Sequence, residues 1–521
     1  LHGFAVMTSR FRVVQRVGWW LWLVTLICLP VTSSPLVARF SGGETPVSPL
    51  ALLPLIPVAI LLLAPFLLSG GSLPRLVWPL MIFGLFTIIS VCVSTALPTF
   101  PFKGQELLDR IIRGLLTLSI GLTFYLSASV IPRGERKLRL SVRALFAGLI
   151  LMLVWATIQA WLVLDGSDRV PLIITRIHHI FSVRDPLGDR VTGMAFEPSW
   201  LGDQLVVLYI PILLASVLRD QSVFSIRWRR ISVELILLVW SIFILLLTRS
   251  RISLLSMLAV ASIAYFYLGI RFVIRFTSGV SSKFASRTLR LLGAVLTLGI
   301  WGLSVYAAAL VLRQLDPRMS YLLSAPKRLQ EFTYFYPNEA GFALADRLAF
   351  AERIAYWSVG MRTFSHYPVL GVGPGNLGFF FKSHLPPYAY QLVEIQNVLH
   401  LAEFGFPNAK NLWIRLLAEG GIFGFGSYVV WYILVALGSI MLWRKDKRWH
   451  SMLGLAGAIG AITFFIEGFS LDSYALPQGW ILFGLITAAL SGGEPEPVSS
   501  KPGERQIQNT TRLESDIGNH A

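Results

Sequence analysis

Residues 411–443 read NLWIRLLAEGGIFGFGSYVVWYILVALGSIMLW. Nothing is ionised from Gly420 to Trp443. A hydrocarbon core ~30 Å thick is crossed by about 20 apolar residues in a helix. In lipid the backbone must bond within its own segment, so a run of this kind is a helix. Comparable charge-free runs occur at 17–38, 45–74, 114–132, 144–164, 252–270, 291–312 and 473–493. The composition agrees. Of 521 residues 55% are hydrophobic and only 14% charged, against about 25% charged in soluble domains, and the mean hydropathy is +0.65. A soluble β protein is excluded, and the fold class is an all-α polytopic membrane protein with about twelve transmembrane helices.

The spans are expected near 17–36, 49–69, 76–97, 114–132, 144–164, 196–218, 231–247, 252–274, 291–312, 411–442, 452–469 and 473–490. This gives spans one to nine within 1–312, one hydrophilic insertion at 313–410, and three further spans within 411–490. A Gly-, Pro- and Ser-rich tail at 491–521 is expected to be disordered. The insertion is rich in aromatics and mixed charge, so it should fold. Basic clusters fall at the N-terminus, Arg75, 133–143, 219–230, 275–290 and 444–448. With alternating spans these share one side, which the positive-inside rule makes cytoplasmic, together with both termini. The segments 165–196, 248–251 and 313–410 then share the opposite face. The net charge of +17 thus serves topology rather than nucleic acid. The first segment is too long and aromatic for a cleaved signal peptide. Cys28 and Cys92 lie within spans, so neither a disulfide framework nor a metal site is indicated.

Three pieces on the non-cytoplasmic face carry chemistry. Glu197, in Arg190-Val-Thr-Gly-Met-Ala-Phe-Glu197-Pro-Ser-Trp, opens span six, with Asp203 six residues on. A carboxylate at the helix centre in lipid costs about 2.5–3.5 kcal/mol, so it usually serves a purpose, although acids also favour a helix start. Arg249 and Arg251 sit in a four-residue turn on the side poor in basic residues. The planar guanidinium binds phosphate oxygens in pairs, while snorkelling to headgroups is the plainer reading. The third piece begins RIAYWSVGMRTFSHYPVLGVGPGN at Arg353. Arg353, Tyr356 and Trp357 share a helical face, and Gly371, Gly373 and Gly375, followed by Asn376, permit close backbone approach to a ligand. Asn411 should cap the tenth span. Arg415 and Glu419, four apart, should pair. His366 reads as a local hydrogen bonder at a turn. Arginines gathered at one interface suit a diphosphate leaving group, whose departure needs cationic stabilisation. No metal and no cofactor are expected.

At these residues the sequence resembles the O-antigen ligase and polymerase family of bacterial polysaccharide assembly. The likeness rests on Arg190…Glu197-Pro-Ser, Thr248-Arg-Ser-Arg251, Arg353…Pro368-Val-Leu-Gly-Val-Gly-Pro-Gly-Asn376 and Asn411-Leu-Trp…Leu417-Ala-Glu419-Gly-Gly. It is best from about 190 to 435. The resemblance implies a GT-C-like helical glycosyltransferase, active on the periplasmic face in O-antigen or exopolysaccharide assembly. An undecaprenyl-diphosphate-linked glycan is the donor, a hydroxyl of a second glycan or lipid core the acceptor, and other polysaccharide-assembly proteins are further partners. Arginines matching Arg251 and, by position, Arg353 hold the diphosphate, and we add Arg190 and Arg249. Family members commonly carry histidine where this chain has Lys410. Lysine is normally protonated at neutral pH, so the base is then Glu197 or a nearby histidine such as His400, with Lys410 at the charged head. Aromatics of the insertion (Tyr334, Phe335, Tyr336, Phe379, Phe380, Phe381, Tyr388, Tyr390) stack on sugars or pack the loop. A transporter of lipid-linked oligosaccharide or small solutes, without chemistry, is the alternative. It would bury charge at the midplane and often show internal repeats, whereas charge here concentrates near one face.

Overall fold

The computed structural model describes residues 2–40, 47–165, 170–224, 227–228, 231–277, 283–315, 350–401 and 405–492. Its helices in chain order begin with α1 (His2–Ile27), α2 (Leu52–Leu68), α3 (Arg75–Ser94), α4 (Leu107–Val130), α5 (Glu135–Asp165) and α6 (Pro198–Leu218). After a two-residue antiparallel ribbon pairing Arg227–Trp228 with Ile231–Ser232 come α7 (Val233–Thr248), α8 (Arg251–Thr277) and α9 (Lys283–Leu315). The insertion supplies α10 (Ala351–His366) and α11 (Val393–His400), and α12 (Leu412–Trp443), α13 (Arg448–Glu467) and α14 (Pro477–Ser491) follow.

Each expected span overlaps a helix, although the first, expected to reach residue 36, leaves its helix after Ile27. Among the described residues, however, eight helices are long and apolar enough to cross a membrane: α3, α4, α5, α6, α8, the Thr288–Ala307 part of α9, α12 and α13. The shortfall from about twelve has local causes. Helix α1 carries Arg10, Arg12 and Arg16 and ends at Ile27, eleven residues beyond the last of them. Pro57 and a widened turn at Ala59–Leu63 interrupt α2. The apolar helices α7 and α14 have 16 and 15 residues.

The bundle buries one large core running through α1, α5, α6, α12, α13 and α14. Helix α13 packs on α6, α8 and α12, and α4 lies along α14. Outside, Trp20, Ile60, Leu85, Leu116, Leu151, Leu291 and Met441 are exposed. So much open apolar surface is far beyond what a soluble monomer presents, and it fits lipid. The described part of the insertion has a small core of its own. Tyr356, Val359, Leu377, Phe381, Leu392 and Ile395 pack there against Ala418 of α12. Residues 316–349, with Tyr334, Phe335 and Tyr336, and the tail from 493 lie outside the described residues.

One feature of α12 fixes how the insertion joins the bundle. At Gly421 the backbone leaves the helix (φ 60°, ψ −166°), in a region open essentially to glycine alone. The break frees the carbonyls of Ala418 and Glu419. Val372 N–H (2.9 Å) and Gly373 N–H (3.0 Å) donate to them, and Ile422 N–H donates to Pro368 O at 2.8 Å. The stretch 368–373 thus lies along the break and satisfies groups that lipid would leave unpaired.

Candidate active site

Several helix ends meet on the face that carries the insertion. Val191 N–H donates to Leu247 O at 3.1 Å, which sets the Arg190 stretch beside the α7–α8 turn. The start of α6 lies on the start of α8, where a Cβ on Gly202 would stand 2.3 Å from Ser253 Oγ. Ser256 of α8 donates to Glu467 Oε1 at 3.0 Å at the end of α13. Leu412 N–H donates to Gly468 O at 2.7 Å, joining the start of α12 to the same place. Arg353 of α10 closes the group, its Nη1 donating to Ser470 O at 3.3 Å. The Arg251 guanidinium lies 5.7 Å from the ring of Phe350, the residue before α10. The expected arginine-bearing segments are therefore brought together, although sequence separates them by up to 163 positions (353 − 190).

Arg353 sits in the field of four carboxylates. Burial pulls its pKa down, while Glu394, Glu197, Asp472 and Glu467 push it up. It remains a cation, as arginine does in proteins. Lys410 has a left-handed backbone (φ 48°). That turn sends its N–H to Asp472 Oδ2 at 3.0 Å and its side chain to Glu394 Oε1, with which it forms an ion pair. Its ammonium lies 4.3 Å from the centre of the Tyr356 ring, and Tyr356 O–H donates to the same Glu394 oxygen at 3.0 Å. Burial first, then the charge of Glu394, raises the Tyr356 pKa, so the phenol keeps its proton as donor. Asp472 also accepts from Asn408 Nδ2 at 3.1 Å. Burial raises its pKa, opposed by Arg415, Lys410 and Arg353.

Three local expectations are met in geometry. Asn411 Oδ1 accepts from the N–H groups of Trp413 (2.9 Å) and Ile414 (3.1 Å), capping α12. Arg415 and Glu419 pair at 2.9 Å, nearly buried, and Arg415 Nη1 also donates to Asp472 O at 2.7 Å. His366 Nδ1 lies 2.8 Å from Arg362 O, as a local hydrogen bonder should.

Other positions have different company. Glu197 pairs with Arg184 at 2.7 Å, and Arg190 lies 3.3 Å from its neighbour Asp189. Arg249 is the left-handed residue that ends α7 (φ 50°). His400 is exposed at the end of α11, ~9 Å along that helix from Glu394 at 1.5 Å per residue. The glycine loop approaches protein rather than solvent. A Cβ on Gly375 would stand 2.6 Å from Arg110 O, and one on Gly373 2.7 Å from Ser94 Oγ. Asn376 is buried and donates to Val372 O at 2.9 Å. Phe380 and Phe381 are buried against Tyr367 and Tyr356, so these two aromatics pack the loop.

Sequence reading passed over Glu394, Asp472, Arg184 and Gln159. Gln159 interrupts the apolar run of α5, and its Oε1 accepts from Thr192 N–H (3.1 Å) and Gly193 N–H (2.8 Å). It thereby holds the Arg190 stretch. It also passed over Glu467, where a carboxylate inside an apolar run was the available signal. Nothing in their local sequence marks Glu394 or Asp472.

No curated protein matches the chain. A family model described as O-antigen ligase matches residues 236–429. That span contains the α7–α8 turn, α10, the glycine loop, Glu394, Lys410 and the Arg415–Glu419 pair. Across residues 236–429 the chain is therefore similar to the O-antigen ligase family, within an all-α membrane protein.

Proposed function

We propose that this protein is a membrane glycosyltransferase that ligates or polymerises a glycan carried on a polyprenyl diphosphate. The observation that carries the proposal is Arg353 set among Glu394, Asp472 and Glu467, with Lys410 paired to Glu394 and the Arg251 guanidinium against Phe350, the residue before the helix that carries Arg353. In this reading the site faces the periplasm, away from the basic loops. Arg251 and Arg353, aided by Arg249 and Arg190, bind the diphosphate. An acceptor hydroxyl attacks the anomeric carbon. The bond from that carbon to the diphosphate oxygen breaks, and polyprenyl diphosphate leaves with the electron pair, stabilised by the guanidinium groups. The hydroxyl proton passes to a carboxylate. We assign that role to Glu394, held by Tyr356 O–H and Lys410 at the position where the family commonly has histidine. Glu197, open on the same face and tied to Arg184, is the second carboxylate for the role. The glycine loop is the support that seats α10 against the bundle.

The test is transfer from a polyprenyl-diphosphate-linked glycan by purified protein. Arg353→Lys keeps the charge and loses the fork. It is expected to lower turnover by about 10–100-fold, the cost of one charge-assisted hydrogen bond of about 1.5–3 kcal/mol. Unchanged turnover with an unchanged melting temperature removes the diphosphate role. Glu394→Gln and Glu197→Gln separate the two carboxylates, since only loss of the base abolishes the pH-dependent rise in rate.

A further inference from the structure

The face opposite the candidate site carries a second arrangement of cations. Arg219 ends α6, and Arg444 and Lys445 follow α12. With Trp443 and Asp446 they line a cavity of about 470 Å³. Arg219 Nη1 lies 3.5 Å from Tyr267 Oη, and Arg271 Nη1 lies 3.3 Å from the same oxygen. Two guanidinium groups therefore converge on one neutral phenol. Among the described residues neither they nor Arg444 and Lys445 form an ion pair, and Asp446 is the one carboxylate on the cavity wall. Like charges gathered in this way repel unless an anion lies between them.

Two details favour a lipid over a soluble anion. The Trp443 and Tyr267 rings stand 6.1 Å apart, the kind of aromatic pair that sits at headgroup level. Leu268 and Ile270 of α8 and Met441 of α12 are exposed beside them, an apolar track for acyl chains. We propose that this cavity binds the phosphate headgroup of an anionic membrane phospholipid, with Arg219, Arg444 and Lys445 around the phosphate and Arg271 beside Arg219 at Tyr267. The proposal does not depend on the glycosyl-transfer reading, because it uses other residues at the other end of the bundle.

The experiment uses the full chain in detergent, titrated with phosphatidylglycerol or phosphatidylcholine and read by native mass spectrometry. The wild-type protein is expected to retain phosphatidylglycerol over phosphatidylcholine. Arg444→Gln with Lys445→Gln, both at exposed positions, is expected to weaken that retention about 25-fold, at about five-fold per charge near the surface. Arg271→Gln gives an independent single loss of about five-fold. Retention unchanged in both variants overturns the proposal. Displacement of the lipid by inorganic phosphate at equal concentration also overturns it, since the site would then take a free anion.

Discussion

Replacing Gly421 by alanine tests how the insertion is mounted on the bundle. Its backbone, at φ 60° and ψ −166°, costs a residue with a Cβ about 1–3 kcal/mol. The new carbon would also stand 2.3 Å from Val369 O and 2.4 Å from Val369 C, so the 368–373 stretch must withdraw. Three backbone hydrogen bonds depend on that stretch, each worth about 0.5–1.5 kcal/mol net. Together the loss is about 2.5–7.5 kcal/mol, and with about 2.1 cal/mol/K of unfolding entropy per residue over 521 residues the melting temperature should fall by roughly 2–7 °C. The assay is thermal unfolding of purified protein in detergent, with Gly426→Ala as control. No heavy atom lies within 4 Å of a Cβ at Gly426, so alanine there should be neutral or stabilising. Transfer activity should fall with Gly421→Ala, because 368–373 leads directly out of α10, which holds Arg353. If Gly421→Ala melts with the Gly426→Ala control, the break in α12 does not hold the insertion and the reasoning fails.

Three other outcomes follow from the structure. Glu419→Gln leaves Arg415 charged and nearly buried, at a cost of about 3–5 kcal/mol, whereas Arg415→Met with Glu419→Leu should recover much of it; equal melting of single and double variants would refute the pairing. Burial lowers the His178 pKa to about 4, where Trp155 Nε1–H at 3.4 Å and Gln159 Nε2 at 3.2 Å face its Nδ1. The unfolded chain takes up that proton near pH 6.5, so stability is whole above about pH 6.5 and falls by on the order of 3 kcal/mol as the pH drops to about 4. His178→Gln should flatten that slope, and an unchanged slope assigns it elsewhere. Ser383→Cys, at an exposed position, should react with an impermeant thiol reagent from outside the inner membrane; labelling only from the cytoplasm inverts the orientation.

Much of the architecture is legible along the chain because lipid imposes a rule that composition can express. A charge-free run must satisfy its own backbone, so runs such as 144–164 become helices whatever surrounds them. Local side-chain pairings are legible for the same reason. Asn411 caps and Arg415 meets Glu419 through helix geometry alone, which depends on positions three and four apart. The Thr248–Arg251 turn stands out because its charge violates the bias of its face. The number of crossings is less legible, since Pro57 or a 16-residue helix changes whether a run can span without altering its hydropathy.

Sequence by itself thus determined an all-helical membrane chain and the segments that gather at one end of its bundle. Tertiary structure alone decided the long-range partners of the charges. Glu394 reaches Lys410 and Tyr356 across sequence gaps of 16 and 38 positions, and Glu467 meets Ser256 across 211. The glycine loop proved to be a strap laid along the broken α12. Short-range periodicity fixes which side of a helix a residue occupies, but long-range packing fixes what stands opposite, and the electrostatics of a site depend on the second.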